Sequence, residues 1–199
     1  MSLSSRRARS ASRSCAMRHK YHTRAIVLGR SPLSESAALI ALLTEEFGLL
    51  RARAEGLRKP GAKLAHALQT FDLSEVTLVR GKEGWRLSGA VLETHLFAEL
   101  SKESRARASR VNGLFLRLVQ GEGGDPALFT LWSEFLALLP RLTEEEQDAA
   151  ECFFALRLLG HLGLDAGAVP EDQGYQPLSP EARRALVTRI NRGIAASGL

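Results

Sequence analysis

Cysteine is scarce in this chain, with two in 199 residues, Cys15 and Cys152. Two thiols can build neither a disulfide framework nor a four-thiolate zinc site, and they suit a reducing compartment. Cys152 stands among apolar residues and reads as a small core side chain. Long hydrophobic runs are missing as well: no uncharged stretch approaches the roughly 18 apolar residues of a membrane-spanning helix. Catalytic signatures are lacking. GEGG at 121–124 has neither the Lys nor the Ser/Thr of a phosphate loop, and no G-x-S-x-G or H-E-x-x-H occurs. His19 and His22 have a spacing that a metal accepts, but no Cys, Asp or Glu stands beside them; His66, His95 and His161 are isolated. Acid is absent from the first sixteen residues, MSLSSRRARSASRSCA, which hold four arginines and six serines. This basic tail, 1–17, is expected to be disordered. It resembles a transit peptide in composition, yet it has no amphipathic period and no apolar signal core.

What is present is unevenly placed. The net charge is +5, but Met1–Gly113 carries 20 Lys+Arg against 10 Asp+Glu, whereas Leu114–Leu199 carries 7 against 12. A front half at +10 and a back half at −5 point to a polyanionic partner for the front.

The front half reads as strands. YHTRAIVLG ends in an apolar run stopped by RSPLSES; a second strand spans about 36–44; FGLLRARAEG alternates Leu50, Ala52 and Ala54 with Arg51, Arg53 and Glu55. After a basic loop and a short helical piece near Leu64–Leu68 come TFDLSEVTLVRG and WRLSGAVLETH, joined by the glycine-bounded turn GKEG. Five strands with a helical insertion between the third and fourth make the layout of an OB-type barrel, here residues 18–98. The back half, 99–199, has helical period. Val111, Leu114, Phe115 and Leu118 share a face; Asp125-Pro126 opens the next helix, which stops at Pro140. Thr143 with Glu146 forms a capping box, so the acidic run Glu144–Glu146 with Asp148 reads as a helix start, not as catalytic carboxylates. Ala149, Cys152, Phe153, Leu156 and Leu159 follow as an apolar stripe, and Ser179-Pro180-Glu181 starts a last helix with Leu186, Ile190 and Ile194 inward. The expected fold is α+β: a five-stranded OB barrel followed by a helical domain.

The segment TRAIVLGRSPLSESAALIALLTEEFGLLRARAEGLRKPGAKLAHALQTFDLSEVTLVRG resembles the N-terminal domain of the bacterial RecO recombination-mediator family, with EFGLLRARAEG and ALQTF in the same order. FFALRLLGHLGLD resembles the family's core helix in the second domain. The resemblance implies a cytoplasmic, nucleoid-associated DNA repair protein that is not an enzyme and needs no cofactor. It would bind single-stranded and double-stranded DNA, anneal complementary strands, work with RecR and with single-strand binding protein, and help load recombinase. Many members carry a four-cysteine zinc finger between the LGLD helix and the last helix. Here that span is AGAVPEDQGYQP, without cysteine, so no zinc role is carried over.

On this footing the basic residues of the barrel, Arg30, Arg51, Arg53, Arg58, Lys59, Lys63, Arg80, Lys82 and Arg86, are expected to track a phosphate backbone. Trp85, beside Lys82 and Arg86, is the candidate for base stacking, whereas Tyr21, Phe47 and Phe71 read as core. The acidic, Phe-terminated tail of single-strand binding protein is expected on the helical domain, its ring in a pocket of Phe153, Leu156 and Leu159 and its carboxylates on Arg157. Two other readings stay open: an OB-fold RNA-binding or translation-associated protein, and an interaction module whose basic face is incidental.

Overall fold

The computed structural model describes residues 19–57, 63–169 and 175–198; the basic tail lies outside them. Five strands come first: β1 (Lys20–Pro32), β2 (Ala37–Thr44), β3 (Gly48–Glu55), then, after the single turn α1 (Lys63–His66), β4 (Leu73–Gly81) and β5 (Gly84–Thr94). The helices follow as α2 (Leu96–Glu99), α3 (Lys102–Leu118), α4 (Pro126–Leu138), a 3₁₀ turn at Leu139–Arg141, α5 (Glu144–His161) and α6 (Pro180–Ala196). The strands close into a barrel in the order β1-β2-β3-β5-β4. All pairings are antiparallel except the short parallel one of β3 with β5, where Ala52 meets Trp85 and Arg53 meets Arg86. This is the OB-type barrel with a following helical region that the sequence predicts.

Alternation accounts for β3: Leu50, Ala52 and Ala54 are buried, and Arg51, Arg53 and Glu55 are exposed. The middle of β1 is buried continuously at Ala25, Ile26, Val27 and Leu28, because both of its faces are covered. Ala25 and Val27 join Ile40, Leu42, Leu50, Val76 and Leu78 in one apolar cluster within the barrel. Ile26 and Leu28 join Leu43, Phe71, Phe115, Phe129, Trp132 and Phe135 in a second cluster shared with the helices. A bulge accompanies this double coverage. The β1–β2 register steps from Val27–Leu42 to Gly29–Ala41, and the carbonyl of the skipped Leu28 accepts a hydrogen bond of 2.7 Å from Asn112 Nδ2 on α3.

Helix starts follow the expected cap chemistry. Asp125 accepts from the N–H groups of Ala127 and Leu128 with Pro126 in the first turn; Thr143 and Glu146 form the reciprocal capping box; Ser101 and Ser179 cap α3 and α6. Leu186, Ile190 and Ile194 of α6 are only half-buried, and the fully covered residue of that helix is Gly193, against Leu159 of α5. Residues 121–124, whose sequence reads as a plain chain break, dock the helical region on the barrel. A Cβ placed on Gly48 would lie 2.0 Å from the Gly123 carbonyl oxygen, and one on Gly124 would lie 2.0 Å from that of Glu46.

Candidate nucleic-acid interface

The β3–β5 seam sets basic residues side by side. Inward positions Ala52 and Trp85 pair across it, so Arg53 and Arg86, next along each strand, pair outside. The β4–β5 hairpin turns at Lys82-Glu83 between the paired Gly81 and Gly84, and Gly84 holds φ +103°, a conformation open to glycine at little cost. Together these elements wall a groove of about 930 Å³. Arg51, Arg53, Arg80, Lys82, Arg86 and His19 line it above an apolar floor of Tyr21, Leu33, Leu39, Val79 and Trp85, with Glu83 at the hairpin tip. Five of the nine basic residues singled out in the sequence therefore meet in one place. Arg30, exposed on β1, is not part of this lining. Arg58 and Lys59 lie outside the described residues, and of Lys63 only the backbone, in the first turn of α1, is described.

Trp85 has a different situation from an open stacking platform. It is 6% exposed and packs edge-on against Tyr21 at 5.4 Å and beside Phe47 at 5.5 Å. Its small partner Ala52 leaves the indole room inside the barrel, and the Arg80 guanidinium lies over the ring, 4.9 Å from the centroid. The exposed apolar group of the groove is instead Leu33, at 51%. Sequence reasoning missed Leu33, Leu39 and His19; a bulky apolar residue inside the polar loop RSPLSES was the available signal for Leu33.

The cations are unequally engaged. Arg80 is paired with Glu122 from the loop after α3, and Arg53 with Glu55 at 3.4 Å. Arg51, Lys82 and Arg86 have no carboxylate at ion-pair distance among the described residues. The Glu122 carboxyl is held below the usual carboxylate range, chiefly by its hydrogen bond from Arg80. Arg24, a barrel arginine not among those singled out, belongs to an acidic depression of about 620 Å³ with Glu45, Glu46, Glu75 and Glu93, where Glu93 clamps it through bonds of 2.9 and 2.8 Å. The barrel thus sorts its charge into a basic groove and an acidic depression.

On α5, Leu156 and Leu159 are fully buried, so the stripe expected to open as a peptide pocket is packed core. Phe153 is 9% exposed, its ring 6.1 Å from that of Tyr175. Arg157 is half-buried, and its Nη1 donates to the Tyr175 hydroxyl at 3.2 Å. Other titratable groups serve the fold. Burial, above all, pushes the Cys152 thiol up to about 11, which leaves it protonated and unreactive. Asp72, fully buried, contacts His95 Nδ1 at 2.8 Å and accepts the Phe97 N–H at 3.0 Å, tying β4 to α2. Among the described residues no group of three or more His, Cys, Asp or Glu is arranged to hold a metal ion, and no helix is long and apolar enough to cross a membrane.

Comparison with known proteins bears on what the groove serves. Residues 17–95 match the family described as Recombination protein O N terminal. The DNA repair protein RecO of Dehalococcoides mccartyi (strain ATCC BAA-2266 / KCTC 15142 / 195) is 30% identical over 160 residues, covering 80% of this chain and 58% of that protein. RecO of Chlorobium limicola is 27% identical over 172 residues, covering 85% and 66%, and RecO of Heliobacterium modesticaldum is 33% identical over 177 residues, covering 81% and 62%. The chain thus matches less than two thirds of the length of each of these relatives.

Proposed function

The chain belongs to the RecO family of DNA repair proteins through its N-terminal domain, residues 17–95, and from that premise we propose that it binds single-stranded DNA in the basic groove of its barrel. The observation that carries this reading is the convergence of Arg51, Arg53, Arg80, Lys82 and Arg86 above an apolar floor. Phosphates neutralised by such side chains release counterions, and bases turned from the backbone find Leu33 and the rim of Trp85. Contacts of this kind go mainly to phosphate, so sequence preference is expected to be small; double-stranded DNA is expected as a second ligand. By kinship the protein anneals complementary strands and helps load recombinase onto DNA coated with single-strand binding protein, with RecR and that protein's tail as partners. For the tail, the polar group bordering the buried α5 stripe is Arg157 beside Tyr175; Arg157→Glu is expected to weaken binding of a labelled tail peptide, with a thermal melt of both proteins as the control for folding. No catalytic step is assigned to the chain: its buried thiol is protonated, Glu55 and Glu122 pair with arginine, and Glu83 stands at the hairpin tip with, among the described residues, no second carboxylate or base in the groove lining other than His19.

The test is oligothymidylate binding as a function of salt. Replacing Arg51, Arg53 and Arg86 together by Ala is expected to lower the log–log salt slope by about two units, at about 0.7 per lost contact for single strands. An unchanged slope in a folded variant would put the DNA elsewhere. An RNA of matched length, binding far more tightly than DNA, would favour the translation-associated alternative.

A further inference from the structure

Two cations of the groove, Arg80 and Arg53, are paired from within the chain. Glu122 lies in the loop between α3 and α4, outside the barrel, yet its carboxylate pairs with Arg80. Arg80 in turn covers the ring of Trp85. The indole Nε1 of Trp85, on a residue 6% exposed that lines the groove, is buried without a hydrogen-bond partner. The Glu122 carboxyl is held low chiefly by its hydrogen bond from Arg80, against burial, with a smaller lowering contribution from the Trp85 indole N–H. A guanidinium paired with a carboxylate and stacked over an indole whose N–H lacks a partner brings together two donors able to hold one oxyanion. The carboxylate is held there by backbone packing, since the neighbouring Gly123 and Gly124 press against Gly48 and Glu46 with no space for a side chain.

We propose that Glu122 is a resident occupant of an anion site formed by Arg80 and the Trp85 indole N–H, and that a phosphate of bound single-stranded DNA displaces it. The inference rests on the DNA-binding reading of the groove and adds to it a residue that sets affinity. Displacement has two consequences. Arg80 swings from Glu122 to the phosphate, adding one backbone contact, and the face of Trp85 is uncovered for a base. A single small anion does not compete well with a carboxylate fixed in place, whereas a chain anchored by Arg51, Lys82 and Arg86 does, because its local phosphate concentration is high. Glu122 therefore favours a polyanion over a free phosphate.

The experiment compares the full chain with Glu122→Gln, Glu83→Gln and Arg80→Ala. Glu83 also lines the groove but pairs with no cation among the described residues, so its variant measures the general effect of losing one negative charge. With oligothymidylate at 0.1 M salt, Glu122→Gln is expected to bind about fivefold more tightly, with a salt slope larger by about 0.7, the contribution of one more single-strand phosphate contact. Glu83→Gln should gain clearly less, and Arg80→Ala combined with Glu122→Gln should abolish the gain. Tryptophan emission gives a readout that needs no DNA. Trp132 is wholly buried, so increased acrylamide quenching in Glu122→Gln reports Trp85. Equal affinities of Glu122→Gln and wild type, or equal gains in the two glutamine variants, would overturn the proposal, as would unchanged quenching. If no variant binds oligothymidylate, the DNA reading falls by itself. Inorganic triphosphate then decides the anion site: protection of Trp85 in Glu122→Gln alone supports it, and no protection in either protein overturns it.

Discussion

Gly48, Gly113 and Gly124 are the same residue in three physical situations, and each predicts a different response to a methyl group. Gly113 sits inside α3 with nothing within 4 Å of an added Cβ. Gly113→Ala is expected to raise stability by about 1 kcal/mol, the helix-propensity difference. Gly124→Ala meets the Glu46 carbonyl, and Gly48→Ala meets the Gly123 carbonyl at a φ of +69°. Each is expected to cost at least about 2 kcal/mol in urea denaturation, through clash and, at Gly48, left-handed strain. A neutral Gly124→Ala would mean that the loop does not dock on the barrel. Phe71 shows that such strain is tolerated where the surroundings demand it: its φ is +75°, its N–H donates to the Val27 carbonyl at 2.7 Å, and its ring stacks on Trp132.

At the scale of elements, α3, α5 and α6 are linked by charge. Asp148 of α5 accepts from Arg107 of α3 at 3.3 Å and from Arg183 of α6 at 2.7 Å, while Glu151 takes Arg107 and Arg110. Burial raises the Asp148 pKa, but the two arginines outweigh it and hold the carboxyl below its ordinary value. Asp125 is lowered in the same manner, by His161 and the N–H groups of Leu128 and Ala127 against burial. A carboxyl with a depressed folded-state pKa stabilises the fold fully above its unfolded value, near 3.9, and the contribution fades as pH falls through the folded value. The melting temperature is therefore expected to be insensitive to these groups above about pH 5 and to drop below about pH 4. Asp148→Asn should cost about 1 kcal/mol at pH 7, since Arg183 is largely exposed, and should flatten the acid limb of the curve. An acid limb identical to wild type would remove Asp148 from the network.

At the scale of the molecule, one apolar cluster joins the outer face of the barrel to the helices through Ile26, Leu28, Phe115 and Trp132. Such a shared core predicts one cooperative unfolding transition for both halves. Phe115→Ala, at a fully buried position, is expected to lower stability by about 3–5 kcal/mol. Far-ultraviolet circular dichroism, dominated by helix, and tryptophan emission should shift together. Separated transitions would show that the barrel and the helices fold independently.

Much of this was legible in the chain. Alternation in GLLRARAE, the glycines of GKEG and the caps at Asp125, Thr143 and Ser179 are local signals, written in neighbouring residues and governed by short-range sterics and hydrogen bonds. They determined the five strands, the helix starts and which strand positions are basic and exposed. The partnering of those positions is a long-range matter. Arg53 meets Arg86 only because the barrel closes between β3 and β5, and Glu122 meets Arg80 only because two backbones touch at Gly48 and Gly124. The burial of Trp85 and of the α5 stripe was not legible for the same reason: a residue's pattern tells that it is apolar or aromatic, while its cover comes from elements far away in sequence. Sequence determined where the charges are; only the tertiary structure decided which of them are free for a phosphate, because pairing and burial depend on distance in space.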